Sequence, residues 1–96
     1  MDVLIVVTQP HSPRVFVPLA AACTRRRLRW ACFFTNDGVT CLNDPGVRTA
    51  VMGAERVVAC EASWSEYGGD SACPVELGSQ THHSALAAQA GRIVGL

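Results

Sequence analysis

Val3-Leu4-Ile5-Val6-Val7 is an unbroken aliphatic run, mostly β-branched, and Thr8-Gln9-Pro10-His11-Ser12-Pro13 breaks it at once. A strand with one face in water alternates apolar and polar residues. A run without alternation reads instead as a strand covered on both faces, as in a parallel sheet with helices above and below. The stretches that follow repeat the theme. The segment after Pro13, Ala- and Leu-rich and ending in Arg25-Arg26-Arg27, reads as a helix. Its start has two readings: Ser12 as cap with Pro13 in the first turn, or a start near Val17 that keeps Pro18 out of the helix interior. Leu28–Thr35 is a second buried strand, stopped by Asn36-Asp37-Gly38.

Val39–Met52 reads as a short helix interrupted or restarted at Asp44-Pro45, where an Asp cap precedes a proline suited to a first turn. Glu55–Cys60 is a third strand, with Cys60 at or near its carboxyl end. Between Glu61 and Leu77, Gly68-Gly69-Asp70-Ser71 and Pro74 leave room for one short helix, expected over Ala62–Glu66, and then a loop. His82–Ala90 is an Ala-rich helix and Arg92–Leu96 a closing strand. Strand and helix in alternation predict an α/β fold: one three-layer domain over residues 1–96, with a mainly parallel sheet of about four to five strands, right-handed crossovers and helices on both faces.

Composition narrows the partners. The 96 residues suit one domain, and 49% hydrophobic against 17% charged residues describes a folded chain rather than a disordered one. Eight Lys+Arg balance eight Asp+Glu, so no net field draws the chain to nucleic acid or anionic lipid. All eight cations are arginine, which removes lysine-nucleophile and Schiff-base chemistry. The apolar runs fall well short of the roughly 20 residues of a membrane span. The opening Met1-Asp2 lacks the basic start of a secretory signal, so a cytoplasmic location is expected. Five cysteines, at 23, 32, 41, 60 and 73, without CxxC spacing, point to free thiols rather than a disulfide framework or a zinc site.

Parallel sheets bind ligands beyond the carboxyl ends of their strands. That rule singles out Thr8–His11, Thr35–Gly38 and Cys60–Ser63, and predicts that Asp37, Gly38 and Cys60 meet there. His11 is the candidate base. Cys23 and Cys32 read as packing residues and Cys41 as a helix-start packing residue or a resolving thiol. Cys73, in a loop, reads as the most mobile of the five; a Cys60–Cys73 disulfide has no support from spacing. The arginine triplet answers the negative end of a helix dipole. His82 and His83, adjacent on a helix, point about 100° apart and do not share a metal easily; capping or solvent contact suits them better. A triad of Ser63, His11 and Asp37 lacks any nucleophile-elbow pattern, and no glycine-rich phosphate loop is present. No cofactor or metal is expected.

Three segments together resemble the DsrE-like family of small sulfur-relay proteins, which includes the TusD-type subunits. Phe33-Phe34-Thr35-Asn36-Asp37-Gly38-Val39 is similar to the family's strand-to-loop segment. Val57-Val58-Ala59-Cys60, followed by Gly68, resembles its third strand, active-site cysteine and helix-ending glycine. Gly78-Ser79, Ser84-Ala85-Leu86-Ala87 and Ala90-Gly91-Arg92-Ile93-Val94 resemble its closing helix and strand, with Gly91 where members tend to carry Asp. The resemblance implies a flavodoxin-like three-layer fold and Cys60 as carrier of sulfane sulfur in a persulfide. It also implies a pocket shaped by Asp37 and Gly38, protein donors and acceptors of sulfur, and assembly into trimers, hexamers or complexes with related subunits.

Two functions follow. In the first, Cys60 lies just before a helix start, whose dipole favours thiolate, and relays sulfur. In the second, the chain is a noncatalytic assembly subunit or small-ligand binding module in which Cys60 only packs. Glu61 and Glu66 favour the second, because nearby carboxylates raise a thiol pKa, and Glu66-Tyr67 stands where family members carry arginine before the glycine.

Overall fold

The computed structural model describes residues 1–96. Five parallel strands, β1 (Val3–Val7), β2 (Trp30–Phe34), β3 (Arg56–Cys60), β4 (Glu76–Gly78) and β5 (Arg92–Gly95), form one sheet in the order β4-β3-β2-β1-β5. Four α-helices connect them: α1 (Pro13–Arg25), α2 (Pro45–Ala50), α3 (Glu61–Tyr67) and α4 (Gln80–Gln89). Two 3₁₀ segments, Asn36–Asn43 and Val51–Gly53, flank α2.

Alternate residues of the central strands feed two cores. Ile5, Val7, Cys32, Phe34 and Ala59 pack with Phe16 and Ala20 of α1, Val47 of α2 and Trp64 of α3. Leu4, Val6, Ala31, Phe33, Val58 and Cys60 pack on the other face with Leu86 of α4. The chain therefore walks from β1 to β4 in one direction with its helices on one face. It then returns under the opposite face, through α4, to add β5 beside β1. Right-handed crossovers require this: reversing the direction of travel along a parallel sheet moves the connecting helix to the other side. The α/β class, the three layers and the parallel sheet agree with the sequence expectation.

Three local expectations are corrected. The first helix begins at Pro13, with Ser12 before it, and runs through Pro18 rather than starting near Val17. Pro18 is exposed, so its ring lies on the solvent side while Phe16, Ala20 and Cys23 are buried. That burial outweighs the one backbone bond lost. The segment before Pro45 is 3₁₀ from Asn36 rather than a helix from Val39; Asp44 caps α2 as expected, accepting from the N–H groups of Gly46 and Val47 at 2.8 and 3.2 Å. The third correction is β4, which lies where a loop was expected. Its three residues pair with Val58–Cys60, and a two-pronged Arg56–Glu76 ion pair at 3.2 and 2.8 Å ties the strand starts together. Three residues, the last of them Gly78 and Pro74 close before the first, are too few to show any periodicity.

Candidate functional site: a thiol between two strand ends

β3 and β4 are neighbours, but their outgoing connections part: β3 feeds α3 on one face and β4 feeds α4 on the other. Such a divergence opens a crevice at the carboxyl edge of a parallel sheet. A cleft of about 480 Å³ lies there, lined by Cys60, Glu61, Ala62 and Ser65 on the β3–α3 side and by Gly78, Ser79 and Gln80 on the β4–α4 side. Cys60 is the last residue of β3 and pairs in register with Gly78, the last of β4. Close approach at this point depends on Gly78: a Cβ there would stand 2.7 Å from Val58 Cγ1 and 2.9 Å from the His82 ring.

Cys60 is 7% exposed, and polar groups from three junctions surround its sulfur. Nε2 of Gln80 stands 3.8 Å from Sγ and 3.4 Å from Oγ1 of Thr35, the residue that follows β2. Ser63, buried in the first turn of α3, accepts the Asn36 N–H at 2.8 Å through its hydroxyl oxygen, which leaves the hydroxyl hydrogen free to donate. Burial pushes the Cys60 thiol up. The Ser63 hydroxyl and N–H, the Gln80 amide and the Thr35 hydroxyl outweigh burial and hold it below the ordinary thiol value.

No other cysteine shares this environment. Burial pushes Cys23, Cys41 and Cys73 up, and Cys32, enclosed in β2, far up. Cys41 lies in the core and points its sulfur at the carbonyls of Gln9 and Pro10, at 3.3 and 3.7 Å. Cys73 is half-buried against the same core, and all five thiols are free.

The other residues singled out by the sequence are placed as follows. Gly38 is buried over the end of β1, where a Cβ would stand 2.5 Å from the Val7 carbonyl oxygen; its lack of a side chain lets the 3₁₀ segment cross that strand. Asp37 is half-buried, and its carbonyl accepts from the Thr40 hydroxyl at 2.7 Å. Neither lines the Cys60 cleft. His11 is exposed in the turn after β1 and borders a different, smaller cleft with Gln9, Ser12, Val15 and Leu96. Of the four residues grouped with Cys60 from the sequence, the structure brings Ser63 to it.

The two histidines divide their roles. His82 completes a capping box at the start of α4: its Nδ1 accepts the Ser79 N–H at 3.0 Å while Ser79 Oγ accepts the Thr81 N–H at 3.2 Å. His83 stacks on Phe33, centroids 4.8 Å apart and planes at 12°, with Nδ1 3.1 Å from Oε1 of Gln80. Gln80 was missed as a site residue from the sequence, whereas Thr35 opens the strand-end segment Thr35–Gly38 that the sequence singled out. The signal that would have found Gln80 is the strand end at Gly78, since a recognised β4 places Ser79 and Gln80 on the same sheet edge as Cys60.

The arrangement can present a stabilised thiolate at the floor of a cleft whose lining carries one charged side chain, Glu61. No helix is long and apolar enough to cross a membrane. No protein-family model, curated protein or solved structure matches the chain.

Proposed function

We propose that the chain is a sulfur-transfer or sulfur-carrier protein that holds sulfane sulfur as a persulfide on Cys60. The observation that carries this reading is the convergence of Thr35, Ser63 and Gln80 on one cleft-lining thiol whose pKa is lowered, while every other thiol in the chain is raised. A persulfide relay needs a thiolate as nucleophile and leaving group in turn. Cys60–S⁻ attacks the outer sulfur of a donor R–S–SH, the donor S–S bond breaks, and R–S⁻ leaves as Cys60–S–SH forms. An acceptor thiolate then attacks that outer sulfur, takes it with its proton, and returns Cys60–S⁻. No oxidant or reductant is consumed. The same donors that stabilise Cys60–S⁻ before attack stabilise it again as the leaving group.

In this reading the partners are thiol-bearing sulfur donor and acceptor proteins, in the cytoplasm, with the chain assembled as a homo-oligomer, a trimer or hexamer, or with related subunits. The resemblance in the Val57–Cys60 segment and around Asp37-Gly38 supports the choice of sulfur as cargo. The second reading, an assembly subunit or small-ligand binding module, draws on the 7% exposure of Cys60, which leaves only a narrow approach to the sulfur.

Intact-protein mass after exposure to a sulfane-sulfur donor and removal of excess reagent separates the two. Gain of one or more sulfur atoms in the parent and none in Cys60→Ser is the expected result. Equal masses before and after, with folded protein and an active donor control, overturn the relay in favour of the binding module.

A further inference from the structure

The Gln80 amide has two unlike ends, and the one that meets Cys60 decides which protonation state of the sulfur is favoured. An N–H aimed at sulfur stabilises thiolate; a carbonyl oxygen in the same place accepts from S–H and repels thiolate. Half a turn about the last side-chain bond exchanges the two with little steric consequence. Gln80 is itself an exposed residue at the first position of α4, so packing alone does not select its orientation.

A selector stands behind it. Nδ1 of His83 lies 3.1 Å from Oε1 of Gln80, and the His83 ring lies flat on Phe33, a fully buried residue of β2. The stack holds the plane of the ring, and in this plane Nδ1 faces Gln80 Oε1. With a proton on Nδ1 it donates to Oε1, and Nε2 of Gln80 is left for Thr35 and Cys60, at 3.4 and 3.8 Å. His82, one residue earlier, has the opposite task, since its Nδ1 accepts from the Ser79 N–H. Both the Nδ1–H tautomer and the doubly protonated ring of His83 carry the required donor, so the arrangement does not depend on the charge of the ring.

We propose that His83 is a positioning residue for Cys60: held against Phe33, it donates from Nδ1 to Gln80 Oε1 and thereby turns the Gln80 N–H groups toward the Cys60 sulfur. The inference rests on the reading of Cys60 as a nucleophile, but not on sulfur being its cargo. The line of contact runs from Phe33 in β2 through two residues of α4 to the end of β3, so α4 both covers one face of the sheet and sets the chemistry at its edge.

The test is the pH midpoint of Cys60 alkylation by iodoacetamide, read by peptide mass with no sulfur donor present. His83→Phe keeps a ring against Phe33 and removes Nδ1; His83→Asn keeps an N–H donor near the same place. The midpoint is expected to rise by about one pH unit in His83→Phe, the scale of losing one hydrogen bond to the charged form. It is expected to return toward the parent value in His83→Asn. Gln80→Leu removes the amide itself and should raise the midpoint as far. The double variant should rise no further, because both changes act through one group. Parent-like midpoints in His83→Phe, a rise that Asn does not restore, or fully additive effects in the double variant overturn the inference. If His83→Phe does not fold, His83→Leu takes its place as the variant without a donor, with the same expected and overturning results. Sulfur loading of the parent is measured beside these variants. A parent that fails to load removes the sulfur reading while a shifted midpoint leaves this inference standing, and the converse result does the reverse.

Discussion

Nε2 of Gln80 stands 3.8 Å from Sγ of Cys60, although one residue opens α4 and the other closes β3. The pairing exists because β4 lies beside β3 in parallel, with Gly78 opposite Cys60, so the two strand-to-helix junctions emerge side by side. The helices then leave toward opposite faces and open the cleft. Several experiments probe this junction and the sheet that supports it.

The five thiols should titrate in a definite order. Cys60 alkylates with a midpoint below the ordinary thiol value, because Ser63, Gln80 and Thr35 outweigh its burial. Cys73, half-buried and raised by burial, alkylates with a midpoint above that value. Peptide mass mapping across pH 6 to 10 checks the order, and a Cys60 midpoint at or above that of Cys73 contradicts it.

Ser63→Ala should act on the site and on stability together. It removes a donor to Cys60 and leaves the Asn36 N–H, now bonded at 2.8 Å, without its acceptor. Asn36 holds a left-handed φ of 54°, so this bond supports a backbone conformation that a non-glycine residue adopts reluctantly. The expected outcome is a raised Cys60 midpoint together with a loss of about 0.5–1.5 kcal/mol in urea unfolding. Loss of stability with an unchanged midpoint would place Ser63 in the scaffold alone.

Gly78→Ala tests the close approach of β4. The added Cβ meets Val58 Cγ1 at 2.7 Å and the His82 ring at 2.9 Å, so the strand or the histidine must move. A loss of about 1–3 kcal/mol is expected, the range for overpacking. Hydrogen exchange should quicken at β4 and the start of α4 before it changes at β1 and β2. Uniform quickening over the whole sheet would show that β4 is not the element displaced.

Alkaline pH should weaken the fold through Cys32. Burial raises its thiol far above the ordinary value, so the native state keeps the proton that the unfolded chain loses near pH 8.5. Above that pH the unfolded state binds fewer protons, and stability falls as pH rises. Cys23, Cys41 and Cys73 act in the same direction, while Cys60, with a lowered thiol, acts in the opposite one. The urea midpoint should therefore drop between pH 8 and 10, and drop less in Cys32→Ala. An equal drop in that variant would assign the effect to other groups.

Much of the sheet was legible because a fully covered strand writes its burial into consecutive residues. Val3–Val7 was read to its observed bounds, and Cys60 was placed at the strand end it occupies. β4 was not legible: Glu76, Leu77 and Gly78 form a three-residue edge strand whose first two members are exposed. Without β4 the sequence offered three strand ends from which to assemble a site, and it grouped Asp37, Gly38 and His11 with Cys60. In the fold Gly38 serves the crossing over β1, and His11 lies at the end of β1 next to β5.

The sequence by itself determined the α/β layering, the covered central strands and the position of Cys60, because each depends on local pattern: apolar runs, turn residues and the strand-to-helix switch. Only the tertiary structure decided which polar groups surround that sulfur. Thr35, Ser63 and Gln80 come from three separate junctions, and His83 reaches the site through a stack on Phe33. Strand order and the side of the sheet taken by each crossover bring them together, and these are properties of the assembled sheet that no local stretch of residues encodes.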